Sequence, residues 1–253
     1  MEYDKLVQSI LDIGEEMVTC GAEVSRVEDS IMRMCHSYGA QRVNVFIITS
    51  NIQLTLEAPD GRIITQIRRM VRYSANFDRL DYLNNLSRYI CANNPDVDEI
   101  QAKLTEILNR PKQSRFLSFL SLILVSSGFT VFFGGNFMDA VASAIMGITI
   151  GAMDIILSTR ERNQIVYNFM SSVVAGLVAI VLVKFKIGVH ADLIMIGGIM
   201  LLIPGIAMTN AIRDMLIGDI ASGMLRLCNA LLVSTAIACG FAFSIIILGG
   251  ILL

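Results

Sequence analysis

Beyond residue 115 the sequence runs through five long apolar stretches that carry almost no charge, and this decides most of what the chain can fold into. Lys and Arg total 20 and Asp and Glu 22, yet 14 of the basic and 16 of the acidic residues lie in positions 1 to 115. Apolar runs of 18 or more residues with few charges read as membrane-spanning helices. They are expected at about Phe116–Phe133, Met138–Leu157, Phe169–Phe185, Asp192–Met208 and Ile220–Leu252. The fifth is too long for one crossing at about 1.5 Å per residue, so its first turns, around Met224 and Arg226, are expected at or outside the membrane surface.

The expected architecture is a soluble α+β N-terminal domain over residues 1–112, followed over 113–253 by an all-α bundle of about five transmembrane helices. In the first part Leu6, Ile10, Ile13, Met17, Val24, Val27, Ile31 and Met34 recur at helical spacing, with a break expected near Gly21. Val43–Thr49 is β-branched and apolar, and Ile52, Leu54 and Leu56 alternate with polar residues as in a half-buried strand. Pro59-Asp60-Gly61 is a turn signature, which lets Arg62–Arg68 return as a third strand. Two helices follow, one on Phe77, Leu80, Leu83, Leu86 and Ile90, the other on Val97, Ile100, Leu104 and Ile107, ending before Pro111. Met1–Glu16 lacks the apolar core of a secretory signal.

Loop charges set the expected orientation. Arg110, Lys112, Arg115, Arg160, Arg162 and Arg213 fall on one face if there are five spans, and only Lys184 and Lys186 oppose this. The chain is then a multi-pass protein of the cell (inner) membrane, with the N-terminal domain cytoplasmic and the C-terminus outside. A net charge of −2 without a clustered basic face points away from nucleic acid. The five cysteines show no metal or redox spacing. His36 and His190 lie far apart, and no hydrolase, metalloprotease or nucleotide-loop motif is present. The reading is therefore of no enzyme, no metal and no cofactor.

Two spans carry stripes of small residues, Ser143/Gly147/Gly151 in the second and Ala230/Ser234/Ala238/Ala242 in the fifth, which suit close helix packing in lipid. Asp139 and Asp154 fall on the same helix face as the first stripe. A carboxylate in a span is costly and marks an ion or substrate path by default. Asp154 is a pathway candidate on that ground, whereas Asp139, near the span end, reads either as a solvated helix-start carboxylate or as a secondary site. The richest stretch runs from Pro204-Gly205 through Thr209, Asn210, Arg213, Asp214 and Asp219 to Arg226. Pro204 interrupts the fourth span, and interrupted spans are where transporters commonly bind solutes. In this reading Arg213 anchors an anion and Asp214 or Asp219 receives a proton or an ammonium; the alternative is an ordinary cytoplasmic loop with Arg213 and Arg226 as topology anchors. Glu23, Arg26 and Glu28 form a helix surface that either gates such a route or is an ordinary solvated ion-pair face.

Gly14-x-x-Met17-x-x-x-Gly21-Ala22-Glu23-x-x-Arg26-Val27-Glu28, followed by a short sheet, resembles the N-terminal domain of the threonine/serine exporter family. Pro204-Gly205, Arg213-Asp214, Gly218-Asp219 and Ser222-Gly223 resemble the polar end of that family's first membrane half. The resemblance implies export of a small amino acid or a dicarboxylate by a proton-driven antiporter. Its likeness to a split form of the family implies a second small membrane subunit, a homo-oligomer or both, in a pair associated with succinate. The rival expectation is a membrane-anchored sensor or scaffold whose N-terminal domain binds a ligand or protein.

Overall fold

The computed structural model describes residues 3–48, 50–70, 75–111, 114–157 and 163–249. The chain forms two compact units. One comprises Met1–Pro111 with Ile206–Leu227, the other Lys112–Gly205 with Cys228–Leu253. This differs from a division at residue 112 in one respect: 206–227 packs with the N-terminal part of the chain.

In the first unit α1 (Tyr3–Thr19) and α2 (Val24–Ser37) are separated at Gly21, which adopts φ +98°. Their apolar stripes, Leu6, Ile10, Ile13 and Met17 against Val27, Ile31 and Met34, are fully buried. Gly14 permits the close approach, since a Cβ there would lie 2.7 Å from Ile31 Cδ1. Three antiparallel strands follow in the order β1 (Val43–Ile48), β2 (Asn51–Glu57) and β3 (Ile63–Arg69). Val45 pairs with Leu54 and Leu54 with Gln66, a register that sends Ile47, Ile52, Leu54, Leu56 and Ile64 to the core. Asn76 caps α3 (Phe77–Asn93) by accepting the Arg79 N–H, and Asn94, in left-handed conformation before Pro95, ends it. α4 (Val97–Leu108) adds Ile100 and Leu104 to the same core. These elements match the periodicity of the sequence closely.

The remainder of the first unit is α9 (Gly205–Ile217) from Ile206 onward and the start of α10 (Ile220–Ser244). α9 is turned inside out relative to a water-soluble helix. Asp214 and Ala211 are buried while Ile206, Ile212, Leu216 and Ile217 are exposed. The outward face is mostly apolar but also carries Thr209 and Arg213, the latter 53% exposed, while the carboxylate of Asp214 is the ionisable group turned inward.

The second unit is helical. α5 (Arg115–Phe132), α6 (Phe137–Leu157), α7 (Gln164–Lys184) and α8 (Ala191–Leu202) join the rest of α10, which ends in a π-turn over Ile245–Gly249. Among the described residues four helices are long and apolar enough to cross a membrane, or five if α8 and α9, interrupted at 203–204, count as one broken span. The third begins at Gln164, five residues before the sequence suggested.

The Ser143/Gly147/Gly151 stripe is a packing seam. A Cβ on Gly147 would lie 2.9 Å from the Leu122 carbonyl, and one on Gly151 2.8 Å from Phe119 and Leu122, so α6 rests directly on α5. Buried hydroxyls link the seam: Ser126 donates to the Ser143 carbonyl (2.9 Å), and Thr130 to Ser143 Oγ (2.8 Å). The α10 stripe is packed only at its start, where Ala230 and the Ser234 hydroxyl are buried, because Ala238 and Ala242 are exposed. α10 instead packs through Val233, Ile237, Gly240 and Phe241, and Ser244 donates to the Val173 carbonyl of α7 at 2.9 Å.

Candidate functional site

Asp154 and the segment following Pro204 fall in different units, so the ionisable groups singled out in the sequence form two separate constellations.

In the first unit the short turn between α1 and α2 is the receiving surface. Asn210 Nδ2 donates to the Gly21 carbonyl (3.3 Å), Arg226 Nη2 donates to the Ala22 carbonyl (3.2 Å), and Arg213 forms an ion pair with Glu23. Three consecutive turn residues thus accept from three side chains of α9 and α10. Glu23 also meets Arg26 at 3.5 Å. Arg226 is 8% exposed and lies 3.4 Å from Asp214, itself 1% exposed.

Edge strand β1 is gripped at one residue from both sides. Glu28 Oε1 accepts the Ile47 N–H (3.0 Å), and Ser222 Oγ donates to the Ile47 carbonyl (3.2 Å). Burial pushes the Glu28 carboxyl above its ordinary value, opposed by the Ile47 N–H and reinforced by Asp219 and Asp214. Asp219 caps α10 by accepting the Ser222 N–H at 3.3 Å. Gly218, at φ +105°, makes the turn before it, and Gly223 lies where a Cβ would strike the Ala211 carbonyl at 2.6 Å. Arg213 is therefore committed to Glu23, and serving as an anion anchor would require breaking that pair. Thr209 lies exposed on α9.

In the second unit Asp139 departs from the solvated reading: it is fully buried. One oxygen accepts the Val189 (2.6 Å) and His190 (2.9 Å) N–H groups, and the other takes the Asn136 N–H (3.1 Å) and His190 Nδ1 (2.8 Å). It fastens the α7–α8 loop onto the start of α6. Gly188 packs closely there: a Cβ would lie 3.1 Å from Ala142 Cβ and would displace the tip of Ile194.

Asp154 lies at an open cavity of about 300 Å³ lined by residues of α5, α6, α7 and α8. Gln164, Tyr167 and Asn168 share its lining, with leucine and isoleucine side chains forming the walls. Tyr167 OH donates to Asp154 Oδ1 at 3.2 Å. Asn168, nearly buried, donates Nδ2 to the Gln164 carbonyl at 2.8 Å. Asp154 itself is exposed at the cavity rather than sunk within the bundle. The three α7 residues escaped the sequence reading, although Gln164, Tyr167 and Asn168 at i, i+3 and i+4 share a helix face. Lys112, Arg160 and Arg162, used in the orientation argument, lie outside the described residues. Among the described residues no group of His, Cys, Asp and Glu could hold a metal ion.

No solved structure matches the chain. A protein of Mycobacterium tuberculosis (strain ATCC 25618 / H37Rv), named a probable threonine/serine exporter, is 22% identical over 243 residues, covering 95% of this chain and 46% of that protein. The chain thus spans about half the length of this relative. The family model describing threonine/serine exporters (ThrE) matches residues 8–248. That match runs through both units, and the chain belongs to the threonine/serine exporter family.

Proposed function

We propose that this chain is one component of a membrane exporter that moves a small amino acid of the threonine/serine type, or a dicarboxylate such as succinate, outward in exchange for protons. The observation that carries the reading is the Asp154 cavity: a carboxylate, a phenol and two amides gathered among helices that are otherwise apolar. Polar groups at such a position cost free energy in lipid and persist where they face a solute or water. A volume of about 300 Å³ is at the small end of ligand pockets, which suits a metabolite of a few heavy atoms.

A second membrane component belongs to the proposal. With an odd number of spans, a further unit of the same kind enters the membrane in the opposite orientation, and inverted pairs place a shared site at their interface. A separate subunit, a second copy, or the remaining length seen in the longer relative would each supply it. The N-terminal residues face the cytoplasm in this scheme and the C-terminus lies outside. Pro204, Gly205 and the segment to Arg226 line or control the route, with Glu23, Arg26 and Glu28 as its cytoplasmic counterpart.

Proteoliposomes containing the chain, alone and with a candidate partner, are loaded with labelled threonine, serine or succinate. Efflux that accelerates under an inward proton gradient is expected for at least one solute. Absence of efflux of all three, with protein shown to be folded and inserted, overturns the proposal.

A further inference from the structure

One residue of edge strand β1 is held by two other elements, and the two holds meet beside a surplus of negative charge. Ile47 is buried and pairs with Ile52 of β2. Its N–H goes to Glu28 Oε1 of α2 at 3.0 Å, and its carbonyl accepts the Ser222 hydroxyl of α10 at 3.2 Å. The Glu28 carboxyl therefore stands one residue's width from the first turn of α10, which Asp219 caps through the Ser222 N–H at 3.3 Å. The charges acting on Glu28 from the elements packed there are Asp219 at the head of α10 and Asp214 of α9. Strand β1 carries no charged residue between Val43 and Ile48. On α2 itself Glu23 is paired with Arg213 and Arg26, and Asp29 with Arg33. Arg226 lies against Asp214 and is the cation of the group. Among the described residues three carboxylates thus share one buried guanidinium, and like charges so placed disfavour ionisation of the last. A neutral Glu28 keeps its carbonyl oxygen for the Ile47 N–H and adds no charge. An ionised one adds repulsion across the contact that joins α2 and β1 to α10.

We propose that Glu28 makes this contact a proton-sensitive latch: protonated, it holds the edge of β1 and the head of α10 together, and ionised, it loosens 206–227 from β1 and the α1–α2 turn. The latch lies wholly within the first unit and needs no solute, so it stands apart from the export reading. Its direction follows from linkage. Burial, with Asp219 and Asp214, raises the Glu28 carboxyl above its ordinary 4.5. A group raised in this way contributes stability that is complete below the unfolded value and is lost as pH rises through the folded one. Acid closes the latch and alkali opens it.

Hydrogen exchange of the purified full chain in lipid nanodiscs, with rates corrected for base catalysis, reads the latch between about pH 5 and 8. In the wild type, protection of the amides of 211–223 should fall about fivefold or more across that range, while protection of α3 and α4 changes by less than about twofold. E28Q, neutral at every pH, should keep the low-pH protection throughout. S222A removes the other hold without touching a charge, so it should lower protection by a similar factor at both ends of the range and leave the pH dependence in place. D219N removes one repelling charge and should move the transition to lower pH; it carries the test should E28Q fail to fold. Wild-type protection that is flat with pH, an E28Q chain that loosens as the wild type does, or an unmoved transition in D219N overturns the latch. An equal loss of protection in α3 and α4 overturns it as well, since the whole unit would then be weakening.

Discussion

The buried pair Arg226–Asp214 offers a quantitative test of how α9 and α10 are held to the first unit. The charged groups are 3.4 Å apart, with 8% and 1% of the side chains exposed. At an effective dielectric of about 20 their attraction is about 5 kcal/mol, a gain that taking two ions out of water largely cancels. The pair is thus worth little against an apolar replacement, but either member alone is expensive. Removing the arginine in R226M leaves Asp214 charged and buried, and should cost about 3–5 kcal/mol. D214N should cost less, about 2–3 kcal/mol, because Arg226 keeps its hydrogen bond to the Ala22 carbonyl. The double variant D214N/R226M should lose less than the two single losses added, by a coupling of about 2–3 kcal/mol. Hydrogen exchange of the α2 and α9 amides reads these values as opening free energies, free of any contribution from transport. Single replacements costing under about 1 kcal/mol, or a double variant whose loss is the sum of the two, would refute the account of a desolvated, mutually dependent pair.

Other expectations follow from single contacts. G147V should destabilise the second unit by about 1–3 kcal/mol by forcing α6 off the Leu122 carbonyl, whereas G128A, with nothing within 4 Å of its Cβ, should be neutral or slightly stabilising in the same thermal-unfolding assay. D139N should release the α7–α8 loop, read as faster exchange of the Val189 and His190 amides, since it removes the charge that accepts both. Glu28 has a raised folded pKa, so the native state holds its proton over a range above 4.5 where the unfolded chain has lost it. Its contribution to stability is present at lower pH and is lost as pH rises through that range, and E28Q should flatten this slope in melting curves recorded from about pH 4 to 7. In a background lacking native cysteines, K186C should react with an impermeant maleimide from outside and R110C only after permeabilisation; the reverse pattern would invert the proposed orientation.

Much of the fold could be read from residue order because its signals are local. The breaks at Gly21 and Pro95, the period-two strand at Ile52–Leu56 and the turn at Pro59-Asp60-Gly61 act over a few residues and fixed the elements of the first unit. The α6 seam was legible because glycines four apart leave a groove that only a backbone can fill. The α10 stripe obeyed the same spacing but is buried only at Ala230 and the Ser234 hydroxyl, because burial depends on which helix lies opposite: Phe241 and Gly240 face α7 while Ala238 is exposed. Asp154's neighbours were missed for a related reason. Hydropathy places the third span from Phe169 onward, and the polar residues Gln164, Tyr167 and Asn168 that begin the helix fall outside such a window. The packing of 206–227 with residues 1–111 joins positions some 190 apart in sequence, as in Arg213 with Glu23, and no periodicity records it.

That long-range packing changes what the charges after Pro204 mean. In an apolar stretch, an ionisable residue is tolerated either because it faces a wet route or because a polar partner consumes it. Sequence alone cannot choose between these, and the number of commitments each group has already made can. Asn210, Arg213 and Arg226 end on Gly21, Glu23 and Ala22, Ser222 ends on Ile47, and Asp214 lies against Arg226. These groups hold α9 and the start of α10 to the α1–α2 turn and the free edge of β1, and the apolar face left over on α9 is the one a bilayer accepts. Asp154 differs in kind: one oxygen is engaged by Tyr167, the other is uncommitted, and a cavity lies in front of it. Under the proposed export reading, this favours Asp154 over the segment after Pro204 as the place where a solute is met. Breaking the Glu23–Arg213 pair should then alter transport through the packing of the first unit, lowering rate without changing which solute is preferred, whereas changes at Asp154 should alter preference itself.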